Sequence, residues 1–430
     1  MTLSHKERGR GREALSPAYM LLGAGVLLPW NALITTTYDR FPSSHVDRAI
    51  TVVYLPVTFV STLVLAVTCG ESARSRPRLL GGFSVYVVCL VLAPLLADIG
   101  WLLALVAAVG VADAAAQGAL FGLAGEKGTS PVGDSCVDGG RGVDTSATMN
   151  APNGNHSHGN HKNQAKTNTQ SLVSGTSISG IVTSVVNIIT RAILPEEVQS
   201  VSYFWAIAGL CAACVFLCAK MTRRNDISAM RGPSPDNPAP LQASSPGNAR
   251  NLEPLQVETL EKLPSRLAIL DILKKARAPL CALTMVYWVT ITIFPGILQE
   301  DVGSRQGEAG GWAWTAPVAT FIFNVCDAIG KFLDPLPITS NGLLLGITVS
   351  RVLFVPVFLA SIHAHPALIC FLTGALGLTN GMLTVTTLTK IQRDVDDAEA
   401  YLAGNIALGA LLLGLQFGAA TSYLTLLFTL

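Results

Sequence analysis

The strongest constraint in this sequence is a succession of eleven long apolar runs, separated by polar segments. A helix that crosses a hydrocarbon core needs roughly 20 apolar residues, whereas a membrane-spanning strand needs about half as many. The lengths of the runs therefore predict helices, and an all-α membrane protein. The expected spans are residues 18–38, 50–69, 79–97, 101–124, 171–193, 201–219, 278–299, 315–335, 341–362, 366–389 and 400–427.

Composition favours the same class of protein. Only 13% of the residues are charged, against about 25% in soluble proteins. The net charge of +1 and the lack of a concentrated basic face argue against a nucleic-acid partner, so the expected partner is the lipid bilayer. The nine cysteines are interpreted as small apolar residues rather than metal ligands, because most lie inside apolar runs.

Two long polar segments divide the chain. Residues 126–170 are rich in Gly, Asn, Ser and His, which predicts a disordered insert. We interpret His156, His158 and His161 as part of that insert rather than as a metal site. The predicted parts are an N-terminal tail (1–17), a six-helix bundle (18–219) containing the insert, a linker (220–277) with a short amphipathic helix within 255–275, and a five-helix bundle (278–430).

The distribution of basic residues predicts the orientation. Most of the 29 lysines and arginines fall in the tail, the insert, the linker and the segments 70–79 and 390–399. The positive-inside rule places these parts in the cytoplasm, with the N-terminus inside and the C-terminus outside. The sequon at Asn155 would then stay unmodified. The opposite, outer segments hold only Arg40, Arg48, Arg191 and Arg305.

Two charges in the eighth run are candidates for a functional site, since charges within a membrane are costly. Asp327 and Lys331 are four residues apart, so they share one helix face and can pair. A carboxylate and an ammonium can bind the vicinal hydroxyls of a sugar. The alternative is a salt bridge that only holds helices together.

Two other spans carry candidate binding groups. Gln117 offers an amide that suits the edge of a purine or pyrimidine, and Asp113 lies one turn away on the same face. The alternative is that Gln117 only bonds neighbouring helices. In the first span, Trp30 follows Pro29 and offers a flat surface for a base. The alternative is an interfacial anchor.

These motifs together resemble the equilibrative nucleoside transporters. Pro29-Trp30-Asn31 resembles the family's signature in the first span, and Gln117 to Gly125 resembles the fourth-helix motif. Further segments resemble the motifs of the fifth helix and of the seventh to eleventh helices, in order: 175–180, 292–295, 323–331, 351–356, 380–381 and 413–415. The sequence departs from the family in having lysine at 331 in place of arginine, alanine at 119 in place of serine, and the long insert.

The resemblance implies a fold and a set of roles. The fold would be two bundles of six and five helices, similar to the major facilitator architecture. Gln117 would bind the nucleobase and Asp327 the ribose, with Lys331 beside it. Trp30 would border the cavity. The remaining expected binding residues are Leu27, Ile34, Asp113 and Asn324.

The expected function is facilitated diffusion of nucleosides by alternating access. The alternative is a proton-coupled carrier of nucleosides, nucleobases or another small polar solute on a similar fold. An integral-membrane enzyme using Asp113 and Asp327, or a receptor-like protein, is a weaker reading. The sequence shows no P-loop, zinc-hydrolase helix or nucleophile elbow, so we expect no enzyme activity, no cofactor and no metal. We expect a monomer in the plasma membrane, with endosomal or lysosomal membranes as the alternative.

Overall fold

The structure is a computed structural model. It describes residues 17–41, 45–68, 75–125, 156–230, 266–303, 312, 314–396 and 399–429. Within these ranges the regular structure is helical throughout. The N-terminal tail, most of the insert and most of the linker, and with them the sequon at Asn155, lie outside the described residues.

Six long helices make up the first half of the chain. Each follows from an apolar run that satisfies its own backbone hydrogen bonds, as a membrane core requires. The helices are α1 (Pro17–Arg40), α2 (Val46–Thr68), α3 (Ser75–Leu92), α4 (Ile99–Gly125), α5 (His156–Ile193) and α6 (Glu196–Met230).

The second half contains shorter and more broken helices. After the short amphipathic α7, the seventh and ninth predicted spans are each divided into two parts. The elements are α7 (Arg266–Lys275), α8 (Arg277–Thr292), a π-helical segment (Ile293–Val302), α9 (Thr315–Phe332), α10 (Asn341–Ser350), α11 (Phe354–Ala360), α12 (Pro366–Asp394), α13 (Ala400–Leu424) and α14 (Leu426–Thr429).

Ten segments of the described chain are long and apolar enough to cross a membrane, judged by length and composition. They correspond to ten of the eleven predicted spans. The remaining span is α9, which has 18 residues and carries Asn324, Asp327 and Lys331. These polar residues lower its mean hydropathy, yet α9 packs against α12 and α5 within the bundle.

Several helices begin or end at other residues than predicted. The disorder expected over 126–170 does not hold for 156–170, because α5 begins at His156. A helix that is already nucleated extends at little cost per residue, and 156–170 contains one glycine and no proline. The side chains of this stretch lie outside the described residues. Similarly, α6 continues to Met230, beyond the expected end at 219, and α2 begins at Val46 rather than at 50.

The seventh helix is interrupted at Phe294. This residue, the second of the π-helical segment, has an extended backbone (φ −115°, ψ 125°). The following Pro295 has no N–H to donate and cannot continue an α-helical hydrogen-bond ladder. The single span predicted over 278–299 is therefore two helical pieces, and the break turns Phe294 toward the neighbouring helices.

Glycines allow two pairs of helices to approach closely. On α1 and α5, a side chain at Gly23 would clash with the backbone of Leu172, and one at Gly175 would clash with the backbone of Met20. On α12, a side chain at Gly381 would lie 2.8 Å from the backbone nitrogen of Lys331 on α9. These contacts hold the helices that carry the candidate binding residues at backbone-to-backbone distance.

Candidate functional site

A cavity of about 200 Å³ lies between the two halves of the chain. Its wall is formed by α1, α2, α4 and α5 from the first half and by α8, α9, α12 and α13 from the second, with Phe294 at the helix break. Seven of the eight predicted binding residues line it: Leu27, Trp30, Asp113, Gln117, Asn324, Asp327 and Lys331.

Ile34 is the exception among the predicted residues. It is 1% exposed and belongs to the hydrophobic core of the first half, together with Leu33 and Ile50. Ile34 lies four residues after Trp30 on α1, and this spacing predicts that both side chains lie on the same face of the helix. The crowded packing of α1 buries it against other helices rather than leaving it at the cavity wall.

Asp113 organises one side of the cavity. Its carboxylate accepts three hydrogen bonds: from Tyr54 Oη to Oδ2 (2.6 Å), from Tyr86 Oη to Oδ1 (2.8 Å) and from Gln117 Nε2 to Oδ2 (2.7 Å). Asp113 itself is 1% exposed. Both carboxylate oxygens are therefore satisfied by protein groups, as a buried charge requires.

Trp30 is packed into the same side. Its ring stacks on Tyr54, with ring centroids 4.4 Å apart and an interplanar angle of 23°. Trp30 is 8% exposed and lines the cavity. One face of the indole is thus covered by the tyrosine that bonds Asp113. This position in the protein interior does not match the alternative of an interfacial anchor.

Asp327 organises the other polar group of the cavity. Its Oδ2 lies 2.9 Å from Lys331 Nζ and accepts a hydrogen bond of 2.8 Å from Ser177 Oγ on α5. Its Oδ1 accepts from Asn380 Nδ2 on α12 at 2.8 Å. The ion pair is about 7% exposed. Asp327 therefore connects three helices, and Ser177 links it to the other half of the chain.

A polar network extends behind Asp327. Since Asn380 must present its nitrogen to the carboxylate, its Oδ1 accepts from Thr290 Oγ1 at 2.7 Å. Arg351 Nη2 in turn donates to Thr290 Oγ1 at 3.1 Å, and Nη1 donates to the carbonyl of Val286 at 3.0 Å. The buried guanidinium of Arg351 thus holds Thr290, a residue of the cavity wall, in place.

Asn324 faces the contact between α9 and α5. Its Nδ2 donates to the carbonyl of Gly180 at 3.1 Å and to Ser184 Oγ at 3.0 Å. A side chain at Gly180 would collide with this amide. Asn324 lines the cavity, but its amide nitrogen is used in joining the two halves.

A buried ionic cluster joins α2 to the π-helical segment and to α13. Arg48 on α2 is 1% exposed and forms a salt bridge with Glu300 and another with Asp301 at 2.8 Å, both in the π-helical segment. Arg48 Nε also donates to the carbonyl of Ser422 on α13 at 3.1 Å. His45 Nδ1 lies 3.2 Å from Glu300 Oε2. We name Arg48, Glu300 and Asp301 the outer cluster, after the side of the membrane that the basic residues predict for them.

The cavity extends in the opposite direction, away from the outer cluster. Its wall includes Leu388, Ile391 and Gln392 near the C-terminal end of α12 and Gly404 near the start of α13. The C-terminal end of α12 and the start of α13 follow each other in the chain and lie at the same end of the bundle. Ser422, with its partner Arg48, lies at the other end of α13. The cavity lining therefore reaches toward one end of the bundle, and the ion pairs of Arg48 join the two halves at the other end.

Sequence reasoning found the charged and amide residues of the cavity but missed their partners. Tyr54 and Tyr86 are ordinary residues of apolar spans, and no pattern connects them with Asp113. Arg48 was expected in an outer loop, which was wrong: it is buried within α2. The signal that could have found it is the pair of acids Glu300 and Asp301 at the end of the seventh span, on the same predicted side.

The fold and the cavity define a polytopic membrane transporter, with a cavity shared by two halves of one chain. The solved structure of the nucleoside transporter NupG shares this major-facilitator-like fold, with a TM-score of 0.51 and 11% identity over 96% of each chain. Two relatives from Arabidopsis thaliana, equilibrative nucleotide transporters 8 and 7, are 27% and 28% identical over 97% and 98% of this chain and 97% of their own.

The particular family follows from the sequence model of nucleoside transporters, which matches residues 159–427. The chain belongs to the nucleoside transporter family. The resemblance seen in the sequence motifs is thus confirmed, as is the all-α, multi-pass membrane fold.

Proposed function

We propose that this protein carries nucleosides across the membrane by facilitated diffusion. The observation that carries the proposal is the central cavity, which combines an aromatic and amide side with a carboxylate and ammonium side. The first side suits a planar base with hydrogen-bonding edges, and the second suits vicinal hydroxyls. The cavity walls are otherwise mostly apolar, as is usual for sites that bind small molecules.

The two polar sides suggest separate roles. In the proposed arrangement, the base stacks on the free face of Trp30 and bonds Gln117, while the ribose hydroxyls bond Asp327 and Lys331. An ionised carboxylate accepts from a hydroxyl and an ammonium donates to one. Both groups are already held in position by neighbouring side chains, which lowers the entropic cost of substrate binding.

The charge of the cavity favours a nucleoside over a nucleotide, although the names of the two plant relatives refer to nucleotides. The described residues that line the cavity include two carboxylates, Asp113 and Asp327, and one cation, Lys331. Lys331 is already paired with Asp327. A phosphate dianion would meet excess negative charge in a poorly hydrated space, where such repulsion is strong.

The proposed mechanism is alternating access of the cavity to the two sides. The bundles of residues 18–219 and 278–430 would rock against each other, joined by the linker 220–277. We assign the outer cluster to the extracellular side, which follows from the cytoplasmic position proposed for the basic segments. The described state would then face the cytoplasm, with the outer cluster holding the extracellular side closed.

We further propose that the chain works as a monomer in the plasma membrane, with the N-terminus in the cytoplasm and the C-terminus outside. The cavity and both polar sides are built within one chain, which supports a monomeric unit. Epitope tags on the two termini, stained before and after permeabilisation, would test the orientation. A C-terminal tag that stains only after permeabilisation would contradict it.

Uptake of labelled adenosine and uridine tests the proposed function directly. Cells that lack endogenous nucleoside uptake should gain saturable uptake of both on expressing the chain, and excess unlabelled hexose should not compete. The ratio of inside to outside substrate should approach one and stay there under an imposed pH gradient. Absence of uptake, or accumulation driven by the gradient, would refute facilitated nucleoside diffusion.

A further inference from the structure

Asp113 is a buried carboxylate with no direct part in the proposed substrate contacts. It lies at the cavity wall, but three protein hydrogen bonds occupy its two oxygens. Each of these bonds is between 2.6 and 2.8 Å long, within the range of charge-assisted hydrogen bonds. A charged residue within a membrane is energetically costly and is usually functional. The hydrogen-bond partners of Asp113 indicate its function.

The first partner is Gln117. A carboxylate only accepts hydrogen bonds, so the amide of Gln117 must turn its nitrogen toward Asp113. The amide oxygen Oε1 then lies on the other branch of the side chain. No described residue donates to this oxygen, and it is not among the buried polar atoms without a partner. It is therefore a free acceptor at the cavity wall.

The second partner is Tyr54. Its hydroxyl donates to the same Asp113 oxygen as Gln117, and its ring stacks on Trp30 at 4.4 Å. The position of the Trp30 ring is thus tied to Asp113 through one intermediate. Both residues that we propose to contact the base, Trp30 and Gln117, are held in place by a single carboxylate.

We infer that Asp113 is a positioning residue that makes the cavity select bases presenting an N–H donor. This inference rests on the proposed function, because it specifies how a nucleoside would be read. The fixed Gln117 oxygen is the group that accepts from the base. Adenine and cytosine offer an exocyclic amine, and guanine and uracil offer a ring N–H, so all four would be accepted.

Base analogues distinguish recognition through a hydrogen bond to the Gln117 oxygen from recognition through stacking on Trp30 alone. Purine riboside has the purine ring but no N–H on the base, whereas 7-deazaadenosine keeps the amine and loses a ring acceptor. A single hydrogen bond contributes about 0.5–1.5 kcal/mol, so purine riboside should inhibit adenosine uptake about 2- to 10-fold less strongly than adenosine does. 7-Deazaadenosine should inhibit about as strongly as adenosine.

The substitution Asp113→Asn tests the positioning role. The new amide keeps the volume but can donate as well as accept, so Gln117 is free to turn its nitrogen to the cavity. The discrimination between adenosine and purine riboside should then fall toward one. Asp98→Asn is the matched control, because Asp98 is an exposed acid just before the same helix, α4, and its replacement should keep the wild-type ratio.

The outcomes separate the two proposals. Failure of the wild-type chain to carry any nucleoside would refute the proposed function itself. Wild-type uptake with equal inhibition by adenosine and purine riboside would overturn the inference alone, as would an Asp113→Asn protein that keeps the wild-type ratio. Should that variant not reach the surface, Gln117→Met provides the second test, and a retained wild-type ratio there would also overturn the inference.

Discussion

Arg48 offers the sharpest test of alternating access, because its ion pairs with Glu300 and Asp301 join the two halves of the chain. Replacing Arg48 with methionine keeps much of the side-chain volume but leaves two buried carboxylates without a cation. Breaking a buried ion pair in this way costs roughly 3–5 kcal/mol. The cost falls only on the state in which the outer cluster is closed, since opening that side would hydrate both carboxylates.

The expected result is a shift toward the state that is open on the outer side. A change of roughly 3–5 kcal/mol corresponds to a factor of about 100 to several thousand in the equilibrium between the two states. A cysteine introduced at Leu415, on the cavity wall, should therefore react much faster with a membrane-impermeant thiol reagent added outside intact cells. The same chain without the added cysteine provides the background rate. The maximal rate of uptake should fall, because the carrier returns to the inward state rarely.

Lys275→Met is the matched control for this experiment. Lys275 also has several acidic partners, with Nζ 2.7 Å from Asp271, 2.9 Å from Asp396 and 3.1 Å from Glu399. Hydrogen bonds to these carboxylates raise the pKa of Lys275, so it is charged at any physiological pH. Lys275 and Asp271 lie on α7 at the end of the linker, and Asp396 and Glu399 lie in the second bundle. None of the four lies in the first bundle, so their loss breaks no ion pair between the two bundles and does not bias one state over the other. Unchanged labelling in Arg48→Met, or an equal increase in Lys275→Met, would refute the reasoning.

Three further substitutions test the cavity and its support. Asp327→Asn should lower uridine uptake about 10- to 100-fold at normal surface levels, because hydrogen bonds to a charged group contribute about 1.5–3 kcal/mol; unchanged uptake normalised to surface protein would contradict the assigned role. Gly381→Leu should lower the thermal stability of the detergent-solubilised protein, since α9 and α12 would be forced apart at a cost of about 1–3 kcal/mol. The control Gly346→Leu, where the added carbon meets open space, should not lower it. Trp30→Ala should raise the KM for adenosine more than Trp30→Phe does, and equal KM values would argue against stacking.

Much of the fold could be predicted because a membrane imposes strong rules. Apolar length identified the spans, and the cost of intramembrane charge directed attention to Asp327, Lys331 and Asp113. The same rules explain the misses. A hydropathy pattern does not register the break at Phe294, since the residues on both sides are equally apolar. It also assigned Arg48 to a loop, because a charge next to an apolar run is normally exposed.

The partners of the site residues were beyond sequence reasoning for a different reason. Ser177 and Asn380 bond Asp327 from helices that are distant in the chain, at separations of 150 and 53 residues. Only the three-dimensional arrangement of α5, α9 and α12 shows that they converge. Ile34 is a related case: the helical spacing puts it near Trp30, but the sequence does not show which helices pack against it.

The hydrogen bond from Ser177 to Asp327 has a consequence for the kinetics of the carrier. This bond crosses between the halves, and it occupies an oxygen that we propose to receive a ribose hydroxyl. A bound ribose hydroxyl would replace Ser177 as the donor to Asp327. Substrate binding would therefore also break one hydrogen bond between the two halves. The occupied protein should consequently reorient faster than the vacant one. Cells preloaded with unlabelled uridine should then take up labelled uridine faster than unloaded cells. Equal rates would show that the Ser177–Asp327 hydrogen bond does not limit the return of the empty carrier.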